Sequence, residues 1–485
     1  MEVWKSRWGL IFAALGAAIG LGNIWRFPKE VAANGGGAFI IAYIIFLFSW
    51  SAPLLIAEFS LGKKTRLGTI GTFKIFVGKK YAFMGAWMMV VSTIVCFYYA
   101  VITGWTIKYS TLALSGSLSA GTNTSQVWHN FIISPLEVIF FQFIAIAFCA
   151  YVVYKGIRKG IEKVNLILVP LLFILLFVTA IWALSLPGSL NGLKFMYTPR
   201  MEYLVRAETW VRALAQSAWS CSAGFGIALT YAIYMKKKED TALNAFITGL
   251  GDTAVALIAG IAVICTVFAL SATTGEALGI MESRETSLAF VHLTGLFLRM
   301  PGGIFITGMF FIATAFAALT SLISGFEIAT RNFMDHGWSR HKSLAVVACA
   351  TFLLGLPSAV IVIGAEPVFL ANQDFVWGLG LIVAGLFVAF AVWKYGASKF
   401  RKELINTGFN DINIGRWWDF VITILFPLQF GALMVWYLWQ SLQSPQWWNP
   451  LMPIGCATLI LQWSVAILVL FKLNKWLVSR ELKPV

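Results

Sequence analysis

Apolar segments of about twenty or more residues recur along the whole chain and are separated by short polar stretches. A helix needs roughly 20 apolar residues to cross a bilayer, whereas the strands of a membrane barrel would alternate over about ten residues. The pattern therefore predicts an all-α integral membrane protein with about twelve transmembrane helices. The predicted spans cover residues 9–34, 38–62, 84–113, 134–154, 162–185, 209–235, 242–272, 303–335, 343–364, 374–397, 417–441 and 451–477.

The segments between the spans predict a single domain. No linker rich in proline, serine or charge interrupts the chain, so we expect one transmembrane domain over 1–485. The longer segments 114–133, 186–208 and 273–302 are expected to be ordered caps on the outer face. The mixed polar and apolar residues of 275–299 favour a re-entrant helical hairpin there.

Composition and charge agree with a membrane protein. The chain is 59% hydrophobic and 12% charged, whereas about a quarter of the residues of soluble domains are charged. The net charge of +15 comes from Lys and Arg that fall mostly in alternate loops, as the positive-inside rule requires if both termini are cytoplasmic. We therefore expect a multi-pass protein of the plasma membrane, whose basic surplus faces the anionic lipids of the bilayer. A nucleic-acid partner is not needed to explain the charge.

The sequence offers little material for an enzyme. The 6 cysteines all fall within predicted spans without close pairing, and the 4 histidines are scattered. We interpret the cysteines as small packing residues rather than disulfide or metal ligands. No nucleophile with a neighbouring base is apparent, so we do not expect an enzyme.

Glycine-rich interruptions occur in two predicted spans. Residues 16–23 in the first span and 219–226 in the sixth place glycine and small polar residues at mid-membrane, where each glycine weakens a helix by about 1 kcal/mol. Breaks five spans apart favour inverted repeats, 1–185 and 209–397, followed by two accessory helices within 417–477. Broken helices would offer carbonyls to cations and amides to a carboxylate. The alternative is that the glycines only permit close helix packing.

A few polar residues at membrane depth add candidate chemistry. Asp252 in the seventh span calls for a cation, unless it is a protonated packing residue. Arg26 and Asp374, near the outer ends of spans 1 and 10, form either an outer gate or two contacts with lipid headgroups. Thr320 and Ser321 offer adjacent hydroxyls to a hard cation, although such residues often bond to the carbonyls of their own helix.

One string in the first span is diagnostic. The sequence GAAIGLGNIWRFP from Gly16 to Pro28, followed by NGGGAF from Asn34 to Phe39, resembles the first-helix signature of the neurotransmitter:sodium symporter family. The likeness extends over nearly the whole chain, through Glu58, Tyr98, Tyr99, the KGIE of 159–162, Gln216, the GFG of 224–226, Thr230, Tyr231 and the LTS of 319–321. It implies a bacterial amino-acid transporter with the leucine-transporter-like fold, a 5+5 inverted repeat with broken helices 1 and 6.

The resemblance implies two bound sodium ions. Sodium site one would be formed by Ala18, Asn23, Ser220 and Asp252 together with the carboxylate of a bound amino acid. Sodium site two would be formed by the carbonyls of Gly16, Ile19 and Ala317 and the hydroxyls of Thr320 and Ser321. Because the substrate completes a sodium shell, each ligand would stabilise the binding of the other.

Departures from the family pattern refine the expected substrate. Monoamine transporters of the family carry Asp where this chain has Gly20, so an amino acid is favoured over a free amine. Chloride-dependent members carry Asn at the position of Asp252, so we expect chloride independence. Trp219 replaces a Phe as the lid and Gly325 replaces a bulkier aliphatic residue, which favours a neutral hydrophobic or aromatic amino acid. The expected substrate-binding residues are Ala18, Gly20, Gly22, Val95, Tyr99, Trp219, Ser220, Ser222, Phe225, Ser321 and Gly325.

The inner side carries a further departure. The resemblance implies an inner gate at Asp335, but the Arg that usually precedes Trp4 is missing, so Lys5 or Arg7 is a candidate replacement. Gly160 and Pro170 match the family's motif for releasing the second sodium through local unwinding of span 5. We therefore expect sodium-coupled symport by alternating access. The alternative is a membrane amino-acid sensor that keeps the site without transport, although a sensor needs no release motif.

Overall fold

Almost the whole chain is helical in a computed structural model, which describes residues 2–443 and 445–479. Ten unbroken helices of this described part are long and apolar enough to cross a membrane: Gly37–Thr65, Lys79–Leu114, Pro135–Tyr154, Ile157–Ser185, Thr241–Leu270, Gly303–Asp335, Arg340–Val360, Val368–Tyr395, Trp417–Leu442 and Cys456–Val478. Span 1 is a pair, Arg7–Ala18 and Gly22–Ala33, bent by 59°. Span 6 consists of Ala207–Ser220 and Ile227–Ala232. The all-α membrane fold of about twelve spans is thus confirmed.

Span 1 breaks at its glycine-rich centre. Its first half begins with Ser6, whose hydroxyl accepts a hydrogen bond from Gly9 N at 2.9 Å, a normal N-terminal cap. It ends where Ile19 adopts an extended backbone, with φ −69° and ψ 104°. The chain then resumes with a wide π-helical turn at Gly22–Arg26. The backbone between the halves therefore leaves the helical ladder in the middle of the protein.

Span 6 breaks through three residues with positive φ. Ser222, Gly224 and Gly226 have φ values of 51°, 90° and 82°. Two of the three are glycines, for which such values carry no steric penalty. Glycine at 224 is also required by packing, since a Cβ there would lie 2.5 Å from the Cα of Gly385 in span 10.

Some boundaries differ from the prediction. Span 10 begins at Val368 rather than 374, directly after Pro367, so Asp374 lies about two turns inside the helix. Span 12 begins at Cys456 rather than 451, because the proline-containing stretch before it forms turns and bends. The basic residues that follow Ser479, predicted to face the cytoplasm, lie outside the described residues.

Short helices form the predicted outer caps. The first contains Thr124–Ile132, and the second contains Ser189–Tyr197 and Met201–Leu204. The third is a hairpin of Thr274–Glu282 and Glu285–Leu298, as the pattern of 275–299 predicted. Glu285 of this hairpin lines a cavity at the centre of the protein.

Candidate ion and substrate site

Asp252 lies at the centre of the first polar cluster, which we call the carboxylate cluster (Asn23, Tyr43, Ser220, Cys221 and Asp252). Its side chain is fully buried. Asn23 Nδ2 donates to Asp252 Oδ1 at 2.7 Å, and Ser220 Oγ donates to Oδ2 at 2.7 Å. Span 7 thereby meets the breaks of spans 1 and 6 at one carboxylate.

The break in span 1 orients Asn23. Its Oδ1 accepts a hydrogen bond from Gly20 N at 3.0 Å, and its Nδ2 also donates to Ser220 Oγ at 2.8 Å. Because the helix ends at Ala18, the backbone N–H of Gly20 is free to donate to this side chain. Three of the four residues predicted for sodium site one are therefore in mutual contact, and Ala18 lies in the same segment.

Two further donors approach Asp252 Oδ2. Tyr43 OH lies 3.4 Å away and Cys221 Sγ lies 3.5 Å away. The sequence predicts only a packing role for Cys221, and no spacing signal connects it to Asp252. Gln216 does not join them, because its Nε2 donates to Gly22 O at 3.3 Å.

Ser321 lies at the centre of the second cluster, which we call the neutral cluster (Gly16, Ile19, Ala317, Thr320 and Ser321). Ser321 Oγ is 3.3 Å from Gly16 O and 3.1 Å from Ile19 O, so span 8 contacts the carbonyls at the break in span 1. Thr320 Oγ1 donates instead to carbonyls of its own helix, Phe316 O at 2.9 Å and Ala317 O at 3.1 Å. Thr320 thus bonds to carbonyls of its own helix, which is the alternative to cation binding that the sequence left open.

The donor types of both clusters suit a small hard cation. Carbonyl, hydroxyl and carboxylate oxygens replace the hydration shell of such ions. The carboxylate cluster is also short of positive charge, since none of the ion pairs within the described residues includes Asp252. A buried carboxylate that meets only neutral donors is costly without a cation or a proton. These residues therefore fit sodium.

A central cavity of about 210 Å³ adjoins both clusters. Every residue predicted to bind substrate lines it, namely Ala18, Gly20, Gly22, Val95, Tyr99, Trp219, Ser220, Ser222, Phe225, Ser321 and Gly325. Gly22 has free space beside it, because a Cβ there would meet no atom within 4 Å. At Gly20, by contrast, a Cβ would lie 3.1 Å from Tyr99 OH and 3.5 Å from Ser321 Oγ. Any side chain at residue 20 would thus enter the cavity between spans 3 and 8.

Trp219 lines the cavity and packs against Phe225. Their rings are 5.8 Å apart and nearly perpendicular. The indole also packs directly on Gly378 in span 10, where a Cβ would lie 2.1 Å from Trp219 Cζ2. Gly378 could not be predicted from the sequence, since a glycine in an apolar span carries no signal until its partner is known.

The wall at Gly325 is not empty. The sequence predicted extra space where glycine replaces a larger residue, but a Cβ at residue 325 would lie 2.2 Å from Cys96 Sγ. Cys96 lies in span 3 and lines the same cavity. The thiol thus occupies the space that the missing side chain leaves.

Arg26 and Asp374 both reach the outer end of the cavity but do not form an ion pair. Arg26 Nε lies 3.8 Å from Glu285 Oε1 in the outer hairpin, and its guanidinium lies 5.6 Å from the centre of the Trp219 ring. Asp374 accepts a hydrogen bond from Tyr98 OH at 3.1 Å. The predicted gate residues are thus neighbours of one cavity, with Glu285 as the carboxylate nearest to Arg26.

Asp335 has a partner that the sequence did not suggest. Arg331, one turn earlier on span 8, lies 2.9 Å from Asp335 Oδ1, and both side chains are buried. Arg7 instead pairs with Asp411 and Glu239, and Lys5 donates its backbone N–H to Glu162 at 2.8 Å. Neither candidate replacement for the missing Arg therefore pairs with Asp335.

Known proteins resemble the chain over most of its length. The model of the sodium:neurotransmitter symporter family matches residues 1–134 and 133–481. An uncharacterized sodium-dependent transporter of Methanocaldococcus jannaschii is 32% identical over 449 residues, 89% of each protein. The uncharacterized sodium-dependent transporter YhdH of Bacillus subtilis is 29% identical over 446 residues, 88% of this chain and 95% of that protein. The crystal structure of MhsT in complex with L-phenylalanine superposes with a TM-score of 0.79 at 30% identity, covering 90% of this chain and 99% of that one.

Proposed function

Since this chain belongs to the sodium:neurotransmitter symporter family, we propose that it imports a neutral hydrophobic or aromatic amino acid together with sodium. Family membership and the many spans make it a multi-pass membrane protein of a sodium-coupled symporter family. The substrate class, the number of ions and the residues that bind them are our proposal.

One observation carries the proposal. The buried carboxylate of Asp252 is contacted by Asn23 and Ser220, which lie at the two helix breaks and also line the central cavity. We assign one sodium ion to Ala18, Asn23, Ser220 and Asp252, and a second to Gly16, Ile19, Ala317, Thr320 and Ser321. The carboxylate of the amino acid would complete the first shell, so sodium and substrate would each strengthen the binding of the other.

The lining of the cavity supports a hydrophobic substrate. Val95, Phe225 and the ring of Trp219 supply apolar surface, while Tyr99 OH accepts a hydrogen bond from Leu21 N at 3.2 Å. No acidic side chain stands at residue 20 to bind a lone amine. The phenylalanine bound to MhsT, a structural neighbour, is of the same class as the substrate that we propose.

Asp252 also supports chloride independence. Tyr43 OH and Ser220 Oγ, which would face a chloride ion in chloride-dependent members, point to Asp252 Oδ2. A fixed carboxylate thus supplies the negative charge that would otherwise come from solution. An anion would be attracted to this position only if Asp252 were replaced by a neutral residue.

Transport would proceed by alternating access with both termini in the cytoplasm of the cell. Arg26, Asp374, Tyr99 and Trp219 would close over the substrate from outside. Inside, the residues around Asp335 and the N-terminal segment would then separate. This order requires the outer and inner ends of the cavity never to be open together.

The decisive experiment is equilibrium binding of radiolabelled amino acids to the purified protein. Leucine, phenylalanine, tryptophan, glycine and glutamate are measured in sodium and in potassium, each as chloride and as gluconate. We expect binding of the first three, only in sodium and equally in both anions. Sodium-independent binding would contradict the coupling, and a requirement for chloride would contradict the role of Asp252.

Uptake into liposomes separates transport from sensing. With an inward sodium gradient we expect accumulation of the bound amino acid and of ²²Na⁺, and no accumulation when sodium is equal on both sides. Sodium-dependent binding without accumulation would identify a sensor instead.

A further inference from the structure

A polar stripe follows span 5 from the neutral cluster to the inner face. Glu162 and Asn165, one turn apart, both face glycines of span 1. A Cβ at Gly9 would lie 2.2 Å from Glu162 Oε1, and a Cβ at Gly16 would lie 2.3 Å from Asn165 Oδ1. The two glycines thus make room for two polar side chains between spans 1 and 5.

Asn165 has an unsatisfied oxygen in this stripe. The residue is fully buried, and its Nδ2 donates to Ile161 O at 2.8 Å. Its Oδ1 has no hydrogen-bond partner among the described residues. A buried polar atom without a hydrogen-bond partner lowers the stability of the fold by about 1–3 kcal/mol. Packing alone therefore does not explain a carboxamide at this position.

The position of this oxygen relates it to the neutral cluster. Gly16, whose carbonyl belongs to that cluster, has Asn165 Oδ1 as its nearest neighbour on the Cβ side, with Thr320 Cβ next at 3.0 Å. Asn165 is not among the hydrogen-bond partners of Ser321. Its oxygen therefore stands beside the cluster, and Glu162 lies one turn earlier on the same span.

Glu162 forms the inner end of the stripe. Its carboxylate is buried and accepts hydrogen bonds from Lys5 N at 2.8 Å, Ser6 N at 3.0 Å and Ser6 Oγ at 3.0 Å. All three donors are uncharged, and none of the ion pairs in the described chain includes Glu162. Glu162 thus places a carboxylate, held by uncharged donors, at this end of the stripe.

Span 5 is weak where the stripe runs. Ile157–Glu162 is a π-helical turn, and Pro170 lies inside the helix that follows. Because proline lacks an N–H, the backbone ladder of span 5 loses a hydrogen bond just above Asn165. The stripe is thus placed in a segment whose backbone hydrogen bonding departs from a regular α-helix.

We propose that Asn165 is a transit ligand for sodium, whose Oδ1 binds the ion after it leaves the neutral cluster and before it reaches Glu162 and the inner solution. This proposal rests on the proposed function, because it assumes a sodium ion in that cluster. An oxygen that lacks a partner until the ion arrives would lower the barrier for an otherwise dry passage.

The test compares two variants of the full-length protein. Asn165→Leu removes the oxygen but keeps a branched side chain, and Asn165→Asp keeps the oxygen and the size of the side chain and adds a charge. Val169→Ala is the matched control, since Val169 also faces Gly16 but is apolar. Each protein is measured twice: for the sodium concentration that gives half-maximal amino-acid binding, and for the initial rate of ²²Na⁺ entry into liposomes driven by amino acid.

We expect Asn165→Leu to shift half-saturation by less than about twofold while slowing ²²Na⁺ entry by at least about fivefold. Asn165→Asp and Val169→Ala should keep entry within about twofold of the unaltered protein. Bound amino acid per protein reports the folded fraction, and Asn165→Ala replaces the leucine variant if that one does not fold.

Two results would overturn the transit role alone. One is unchanged ²²Na⁺ entry in Asn165→Leu, and the other is a large shift in half-saturation, which would make Asn165 a ligand of the resting ion. If the unaltered protein binds amino acid without sodium, the proposed function itself fails and the transit role fails with it.

Discussion

The carboxylate cluster and the neutral cluster both include residues of the segment 16–23, at the break in span 1, but they differ in charge. The carboxylate cluster places the buried Asp252 among side-chain donors from spans 1, 2 and 6. The neutral cluster contains only carbonyls and hydroxyls, with Ser321 as the contact to span 8. On the proposed function, the carboxylate cluster would hold its ion by a full charge and could also be completed by a substrate. The neutral cluster would hold its ion by dipoles alone, and so should release it first.

The largest expected effect comes from placing a second charge between the clusters. Gly20→Asp should reduce amino-acid binding by about 100-fold or more, roughly 3 kcal/mol, because the new carboxylate would meet that of the substrate. Gly20→Ala is the control for volume, since its Cβ contacts Tyr99 OH and Ser321 Oγ at 3.1 and 3.5 Å. Equilibrium binding at saturating sodium measures both. Equal losses in the two variants would show that space rather than charge excludes the aspartate.

Removing the existing charge should have the next largest effect. Asp252→Asn should weaken sodium-dependent binding by about 30-fold in gluconate, since a buried partner of the cation is lost. Chloride should restore part of the binding, because Tyr43 OH and Ser220 Oγ are then free to donate to an anion. Binding is titrated with sodium in both anions, with Thr266→Val in the same span as the control. A variant that binds normally in gluconate would remove Asp252 from the site.

Changes in the neutral cluster should be smaller and unequal. Ser321→Ala should raise the sodium concentration for half-maximal binding by about tenfold, because the hydroxyl that contacts two carbonyls of span 1 is lost. Thr320→Val should raise it by only about threefold, because that hydroxyl donates within its own helix. Sodium titrations of the two variants side by side provide the measurement. The opposite order would show that Thr320 turns toward the ion when it binds.

The smallest effect should come from the far wall of the cavity. Gly325→Ala should favour leucine over tryptophan by about three- to fivefold, because the added methyl displaces Cys96 Sγ into the cavity. The double variant Gly325→Ala with Cys96→Ala should return selectivity toward that of the unaltered chain. Competition binding with the two amino acids gives the ratio. Additive effects of the two substitutions would contradict a shared space.

The number of spans was predictable because hydropathy is a local property of the sequence. The breaks were predictable as well, since Gly20, Gly224 and Gly226 stand in otherwise apolar segments. The helix ends were less predictable. The helices that begin at Val368 and Cys456 start away from the predicted residues because prolines and turns fix the start. Local sequence thus determines which segments cross the membrane better than where each one begins.

The contacts between distant spans could not be predicted from the sequence. All the residues predicted to bind substrate line one cavity, while their roles stay predictions. The contacts of Gly378 with Trp219 and of Gly325 with Cys96 depend on how distant spans pack. Such contacts appear only when helix faces are known. Arg331 is different, because an i, i+4 pair with Asp335 on one helix follows from spacing alone, and the partner was sought at the N-terminus instead.

The contact between Trp219 and Gly378 also couples the two positions to each other. A side chain at 378 would meet the indole, since even a methyl group would lie 2.1 Å from Trp219 Cζ2. A small residue at 219 carries no such demand on 378. The two positions therefore have to be changed together in any redesign of this wall.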